Sequence, residues 1–259
     1  MTGPLRISVV SYLNAEPFYA GLTARVHPAF SITEDIPSVC ADKLLGGEAD
    51  LGLVPVAMLP LLQEKGGSIV TDYCIAAEDK VASVMLFSEV PVSEIQAIYL
   101  DAESRTSVTL LRLLASAYFH IQPQWLREDE NATVDGTTAR LLIGDRALHA
   151  RGKYQFETDL AESWKKFTGL PFVFACWVSM RALTSTESDA LELCFEEGLQ
   201  LRTGIATMHQ PSYSNVDLNE YLLSNIRYRL TPEMQKGLSK FLEYLAMPEH
   251  QSLLPFSRL

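Results

Sequence analysis

The sequence predicts an α/β protein of two lobes, in which a second α/β domain is inserted into the first. The first third of its 259 residues alternates apolar strands with helices, and strands that are separated by helices usually pair in parallel. Two longer β-rich stretches, Val81–Phe87 and Leu170–Val178, have no accompanying helix and enclose a segment with its own β-α-β pieces. We therefore expect residues 1–87 and 177–259 to form one domain, residues 88–176 to form the inserted domain, and these two strands to cross between them as the hinge.

The individual elements follow from apolar runs and from the residues that start and stop helices. The strands predicted for the first domain are Arg6–Val10, Phe30–Asp35 and Asp50–Val54. Pro17 lies in the first turn of the helix after the first strand, and Ser38 is expected to cap the next helix, which ends at the Gly46-Gly47 pair. The remaining expected elements are strands 97–100 and 141–143 with helices 107–118 and 145–151, and then helices 185–202, 215–224 and 231–246.

Composition limits the classes of partner. The formal net charge is −11, which argues against nucleic acid or an anionic membrane surface as the main partner. No run of 18 apolar residues is present, so no membrane span is expected. The first six residues enter a strand at once and show no basic region, apolar segment or cleavage site, which predicts a cytoplasmic protein.

Cysteine and histidine usage gives no sign of a metal centre. The four cysteines form no CxxC pair and lie mostly in apolar stretches, as expected for structural thiols. The five histidines are scattered without ligand spacing. Because a P-loop, a GxGxxG motif and a Ser-His-Asp order are also missing, we predict neither a metal nor a cofactor.

The most informative segment is Leu100–Val108, where a strand gives way to a helix. Three hydroxyl residues and one arginine lie at the expected helix start; they are Ser104, Arg105, Thr106 and Ser107. A helix N-terminus offers unpaired N–H groups and a partial positive charge, and an arginine adds a fork that can hold a carboxylate through two hydrogen bonds. The segment therefore predicts a carboxylate or phosphate site. Helix capping together with a surface arginine is the alternative interpretation.

Further candidates lie where other strands end, since ligands of open α/β sheets bind outside the carboxyl ends of the strands. Ser11 and Asn14 follow the first strand, and Asn14 is either a ligand contact or a turn residue. Ser83 lies in an apolar strand, where a hydroxyl usually bonds to backbone. Gly144 permits close approach of the backbone, and Asp145 is expected to cap the following helix or to supply a carboxylate to the cleft.

Taken in order, several motifs resemble the chorismate dehydratases of the futalosine route to menaquinone. The motifs are Ser11-Tyr12-Leu13-Asn14, Gly47–Pro55, Val81–Val84, Ser104–Val108, Leu142–Asp145 and Thr168–Ala175. The likeness runs from about Arg6 to Ala246. It implies a type II periplasmic-binding-protein-like fold without a cofactor, in which chorismate, a small dicarboxylate, is dehydrated in a cleft between the lobes. One departure is the charged segment Glu78-Asp79-Lys80, where the family usually has glycine.

The resemblance also implies roles for the candidate residues. Asn14 and Ser83 match positions considered important for catalysis. The substrate-binding candidates are Ser11, Ser104, Arg105, Thr106, Ser107, Gly144 and Asp145. No protein base stands at a matched position, which fits a substrate carboxylate that takes the proton. The alternatives are the naphthoate-forming lyase of the same pathway and a carboxylate-binding protein without activity, and the sequence leaves the oligomeric state open.

Overall fold

A computed structural model of the chain describes residues 3–24, 29–128 and 133–248. The strands are β1 (Leu5–Val10), β2 (Phe30–Asp35), β3 (Leu51–Pro55), β4 (Ser68–Ala77), β5 (Val84–Ser88), β6 (Ala97–Tyr99), β7 (Gln124–Leu126), β8 (Thr138–Ile143), β9 (Phe156–Asp159), β10 (Phe172–Ser179) and β11 (Arg227–Arg229). The helices are α1 (Glu16–Ala24), α2 (Pro37–Leu45), α3 (Leu59–Glu64), α4 (Arg105–Ala117), α5 (Gly144–Ala150), α6 (Leu160–Thr168), α7 (Ser185–Gln200), α8 (Arg202–His209), the short turn α9 (Leu218–Glu220) and α10 (Pro232–Ala246).

The strands form two mixed sheets, one in each lobe. The first has the order β11-β4-β10-β3-β1-β2 and the second the order β7-β6-β8-β5-β9. In the first sheet β1 runs parallel to β2 and β3, whereas β10 runs antiparallel to β3 and β4. The carboxyl ends of β1 and β3 therefore share an edge, and this edge faces the second lobe.

The chain leaves the first sheet for the second and then returns to it. Strands β5 to β9 all belong to the second sheet, and β10 and β11 return to the first. The expected crossing strand at Val81–Phe87 does not cross, because β5 pairs with β8 and β9 along its length. The chain changes sheet in the turn 78–83 and again between β9 and β10. Strand β4, which precedes the first of these changes, was not predicted from the sequence.

Close packing of α1 on α7 holds the segment that follows β1. A Cβ atom on Gly21 would lie 1.9 Å from the carbonyl oxygen of Cys194, and one on Gly198 would lie 1.9 Å from that of Pro17. Glycine at both crossing points lets the two backbones touch. Beneath this crossing Phe18 packs edge-on against Trp177 and Phe195, with centroids 5.6 and 4.9 Å apart.

Most predicted element ends agree with the structure, and two local predictions are wrong. Ile36 occupies the N-cap position of α2 and Pro37 begins the helix without a side-chain cap, so Ser38 lies inside the helix rather than capping it. The expected helix 185–202 corresponds to α7, which ends at Gln200, and α8 follows it as a separate helix. The expected helix 215–224 is reduced to α9 followed by a π-helical turn, Tyr221–Asn225.

The cysteines are all buried and free, as the sequence predicts; they are Cys40, Cys74, Cys176 and Cys194. Within the described ranges, no helix has the length and apolarity needed to cross a bilayer.

Candidate active site

A cavity lies between the lobes, at the edge where β1 and β3 end, with about 520 Å³ of empty space that is partly open to solvent. Its lining is largely apolar and includes both lobes. The lining residues are Val10, Tyr12, Asn14, Pro37, Leu53, Pro55, Ile75, Val81, Ser83, Val84, Ser104, Thr106, Ile143, Gly144, Phe174 and Ala175. Among these described residues there is no carboxylate, histidine or basic side chain. The cavity therefore presents neutral hydrogen-bonding groups to whatever it holds.

Five of the nine candidate site residues line this cavity, and four do not. Those on the lining are Asn14, Ser83, Ser104, Thr106 and Gly144. Ser11 is exposed and borders a neighbouring cavity together with Asp145. Ser107 is buried beneath Ser104, and Arg105 points to α2.

Asn14 belongs to the first lobe, and Ser83 lies in the turn by which the chain passes from the first sheet to the second. Asn14 lies half-buried in the turn between β1 and α1. Ser83 is fully buried and lies in the turn just before β5, not within the strand as predicted. Its hydroxyl donates to the Val81 carbonyl at 3.5 Å, which is the long limit for a hydrogen bond. The Ser83 hydroxyl is thus poorly satisfied by the protein alone.

The turn that carries Ser83 is held by the buried carboxylate of Asp159. One oxygen of this carboxylate accepts from the amides of Val81 and Ala82 at 3.0 and 2.8 Å. Its other oxygen accepts from two amides at the start of α6. Ala82 has a φ of 62°, a conformation that a non-glycine residue adopts only when its surroundings impose it. Burial raises the pKa of Asp159 to about 6, against the lowering effect of the amides.

The polar residues at the start of α4 are largely engaged with one another and with the first lobe. Ser104 is the N-cap: its Oγ accepts from the Ser107 amide at 3.1 Å and its hydroxyl donates to the Ser107 Oγ at 2.8 Å. The Ala57 amide of the first lobe donates to Thr106 Oγ1 at 3.2 Å. The amides of Arg105 and Thr106, at the first two helical positions, have no partner within the helix. The start of α4 is therefore capped by Ser104 and also carries two amides, those of Arg105 and Thr106, that have no partner within the helix.

Arg105 binds a carboxylate of the protein itself, through one nitrogen of its guanidinium group. Its Nη2 donates to both oxygens of Asp42 in α2, each at 2.9 Å. A second nitrogen lies 3.4 Å from the sulfur of Met58. Since Asp42 and Met58 belong to the first lobe, Arg105 joins the lobes outside the cavity.

Gly144 and Tyr12 form the wall where β8 ends. Gly144 has a φ of 55°, and a Cβ atom there would lie 2.9 Å from the ring of Tyr12. Its amide donates to the Ser83 carbonyl at 2.8 Å. The Tyr12 hydroxyl donates to Glu103 of the second lobe. Gly144 thus permits close approach, as predicted, and the group that approaches is an aromatic ring.

Asp145 neither caps its helix nor lines the cavity. The N-cap position of α5 is Ile143, without a side-chain cap, and the carboxylate of Asp145 instead accepts from the amide of Leu13 at 3.2 Å. Burial raises the pKa of Asp145, and the Leu13 amide opposes that rise. The contact joins the lobes beside the Asn14 turn, which supports this part of the site.

Two aromatic lining residues were not among the sequence candidates. Tyr12 belongs to the motif after β1, but nothing local indicates that its ring covers Gly144. Phe174 is almost fully buried in β10; its ring is 4.7 Å from that of Phe172 and also lines the cavity. Alternation along β10 would have placed the two rings on one face.

Residues 5–247 match the family model described as menaquinone biosynthesis. The chain belongs to this family. The match includes every candidate site residue. A curated relative, chorismate dehydratase from Thermus thermophilus, is 28% identical over 95% of this chain and 96% of its own length.

Solved structures support the two-lobed binding-protein fold of this family member. A protein of Archaeoglobus fulgidus aligns with a TM-score of 0.71 at 13% identity, covering 96% of this chain and 97% of its own. The alkanesulfonate-binding protein SsuA from Xanthomonas axonopodis aligns with a TM-score of 0.62 at 17% identity, covering 98% and 96%. The periplasmic-binding-protein-like fold is thus established.

Proposed function

We propose that this protein is a chorismate dehydratase, a hydro-lyase that converts chorismate to 3-[(1-carboxyvinyl)oxy]benzoate and water in menaquinone biosynthesis. Family membership and the Thermus thermophilus relative support the substrate. The observation that carries the proposal is the largely apolar cavity between the lobes, whose polar lining consists of neutral hydrogen-bonding groups. Such a cavity suits a reaction in which the substrate brings its own charges.

The reaction removes a proton from C3 and hydroxide from C4 of the chorismate ring, which becomes aromatic. Loss of the C3 proton pushes negative charge into the ring carboxylate, because the two positions are vinylogous. Departure of the C4 hydroxyl then forms the last ring double bond. The enzyme must hold two carboxylates and place hydrogen-bond donors where charge develops.

We assign the proton acceptor to the enolpyruvyl carboxylate of the substrate. A protein base would need a carboxylate or histidine within hydrogen-bond reach of C3, and the described lining offers neither. The enolpyruvyl group is attached at C3, so its carboxylate is close to the proton. Closure of this apolar cavity over the substrate would strengthen the interaction by excluding water.

We assign the protein's roles by position on the lining. Asn14 and Ser83 would orient the ring and stabilise the developing charge. The Arg105 and Thr106 amides, with the Ser104 and Thr106 hydroxyls, would bind one carboxylate at the start of α4. Ser11, Ser107 and Asp145 would act around the cavity rather than on its surface. The cytoplasmic location expected from the sequence stays a prediction.

The test is to incubate the purified protein with chorismate and to follow the mixture by chromatography and mass spectrometry. We expect a new species lighter than chorismate by one water. Unchanged chorismate with measurable binding would instead support a carboxylate-binding protein. Neither turnover nor binding would favour the naphthoate-forming lyase, whose substrate is a cyclised futalosine derivative.

A further inference from the structure

The phenol of Tyr221 is buried behind the cavity and has no partner of its own. Tyr221 begins the π-helical turn after α9 and is 0% exposed. Its hydroxyl oxygen makes no hydrogen bond of normal geometry within the described residues. A buried tyrosine hydroxyl usually finds a partner, since leaving it unpaired costs about 1–3 kcal/mol. A phenylalanine would serve packing better at this position.

The polar side chains that approach this phenol are those of Ser83 and Asn14. Both lower the pKa of Tyr221, while burial, the largest effect, raises it. The hydroxyl of Ser83 is itself poorly satisfied, at 3.5 Å from the Val81 carbonyl. Three hydrogen-bonding groups with unfilled capacity therefore converge at one end of the cavity. Hydrogen bonds of this kind are often long without substrate and tighten when it binds.

Tyr228 shows what a purely packed tyrosine looks like in this lobe. Its side chain is also buried, and its hydroxyl is likewise without a partner in the described part of the chain. Its ring packs edge-on against Phe18, with centroids 5.5 Å apart, and lies under Arg202. Burial raises the pKa of Tyr228, and the neighbouring phenol of Tyr221 raises it further, whereas Ser83 and Asn14 do not act on it. Tyr228 is thus a control of the same chemistry that neighbours Tyr221 but not the two catalytic candidates.

We infer that Tyr221 is a positioning residue, whose phenol fixes the orientation of the Asn14 amide and the Ser83 hydroxyl from behind the cavity. This inference rests on the proposed function, because it assigns a supporting role to two residues placed in that reaction. The π-helical turn explains how the side chain reaches them: its i→i+5 bond from the Ile226 amide to the Tyr221 carbonyl resets the direction of the helix at this point. Such turns are frequent at functional sites.

The experiment compares Tyr221→Phe with Tyr228→Phe, each of which removes only a hydroxyl. We expect Tyr221→Phe to lower kcat about tenfold with KM changed less than twofold, because orientation of donors is lost and binding area is kept. Tyr228→Phe should retain the kcat of the wild type. Both variants should unfold close to the temperature of the wild type, since each removes a hydroxyl that makes no hydrogen bond of normal geometry in the described residues.

The same substitution in a background that lacks both oriented groups separates a positioning role from a structural one. In a Ser83→Ala, Asn14→Ala background, Tyr221→Phe should cause no further loss of kcat, because the groups it orients are gone. A full tenfold loss in that background would overturn the inference. Equal kcat values for Tyr221→Phe and the wild type would do the same.

A measurement without turnover keeps this result distinct from the proposed function. In protein labelled with ¹⁵N-asparagine, the side-chain amide signal of Asn14 is assigned by its disappearance in Asn14→Ala. Tyr221→Phe should shift that signal, and Tyr228→Phe should leave it in place. If chorismate is not consumed but the shift occurs, the proposed function fails and the positioning contact stands. If no shift occurs, the inference fails whatever the substrate.

Discussion

The start of α4 and the opposite end of the cavity both present hydroxyl groups to the same space, but the protein satisfies them differently. At α4, Ser104 is bonded to Ser107 and Thr106 accepts from the first lobe. At the other end, which we call the floor, Asn14 and Ser83 line the cavity, and the Ser83 hydroxyl has only a long contact, 3.5 Å to the Val81 carbonyl. The hydroxyls at α4 are thus hydrogen-bonded within the protein, whereas the Ser83 hydroxyl is left for a ligand to complete.

This difference predicts that the two ends of the cavity contribute to different steps, substrate binding at α4 and catalysis at the floor. A group that is already hydrogen-bonded gains little from a ligand unless its first bond is given up, because each bond contributes only about 0.5–1.5 kcal/mol net. A group with unfilled capacity gains from the ligand directly. We therefore expect changes at α4 to affect closure and affinity, and changes at the floor to affect kcat.

The largest expected effect is at the floor. Asn14→Ala and Ser83→Ala should each lower kcat about 10²–10³-fold, the loss typical of one donor to a developing negative charge. Turnover of chorismate measures this effect. The control is Ser88→Ala at the far end of β5, where the buried hydroxyl donates to the Val90 carbonyl at 2.8 Å. Full kcat in both floor variants, with normal folding, would remove the floor from the mechanism.

Local sequence patterns predict where the strands end, and therefore where a site lies. The strand before Asn14 and the separate strands of the inserted domain are visible in the hydrophobic periodicity. Local patterns cannot predict which distant residue a polar side chain will contact. Arg105 pairs with Asp42, 63 positions earlier, and Asp145 receives an amide 132 positions earlier. Local residues alone therefore suggested a ligand role for Arg105 and a capping or ligand role for Asp145, and gave no sign of these distant partners.

The missed strand β4 illustrates a second limit. Its first half is partly exposed and its second half is fully buried, so it shows neither strict alternation nor a continuous apolar run. It exists because β10 and β11 pair with it on either side. The positioning role that we infer for Tyr221 could not be predicted for a similar reason, since it depends on two turns more than 130 residues away.

A smaller effect is expected from the carboxylate beneath the floor. The pKa of Asp159 is raised by burial to about 6 in the folded protein, above its ordinary value of 3.8. The folded state thus binds this proton more tightly than the unfolded state. Its stabilising contribution is complete below pH ~4 and is lost as the pH rises through about 6, a difference on the order of 2–3 kcal/mol.

Chemical denaturation between pH 4 and pH 7 measures this contribution. The free energy of unfolding should fall with rising pH in the wild type and fall less steeply in Asp159→Asn, which carries no proton to lose. Glu187, whose pKa is lowered to about 2 by Arg181, titrates below this window, whereas Asp101, whose pKa burial also raises to about 6, contributes to the slope in both proteins. An identical slope in both proteins would show that Asp159 is not the group responsible.

The smallest effect separates the two interpretations of Arg105. If its partner is Asp42, as the geometry shows, Arg105→Gln and Asp42→Asn remove the same exposed ion pair between the lobes. Each should weaken binding of the dehydrated product by about 0.2–1 kcal/mol, up to fivefold, and the double variant should lose no more than either single one. Isothermal titration calorimetry measures these affinities. Arg6→Gln, which breaks an ion pair to Asp50 within the first lobe, is the control.

A direct contact between Arg105 and a substrate carboxylate would give a different pattern. Arg105→Gln would then cost about 1.5–3 kcal/mol, the range for a hydrogen bond to a charged group, while Asp42→Asn would leave affinity unchanged or increase it by freeing the guanidinium. Asp42 thus decides the question, because it lies outside the cavity and reaches the ligand only through Arg105. Equal small losses at both positions would mean that the start of α4 contributes its arginine to closure and only its amides and hydroxyls to the substrate.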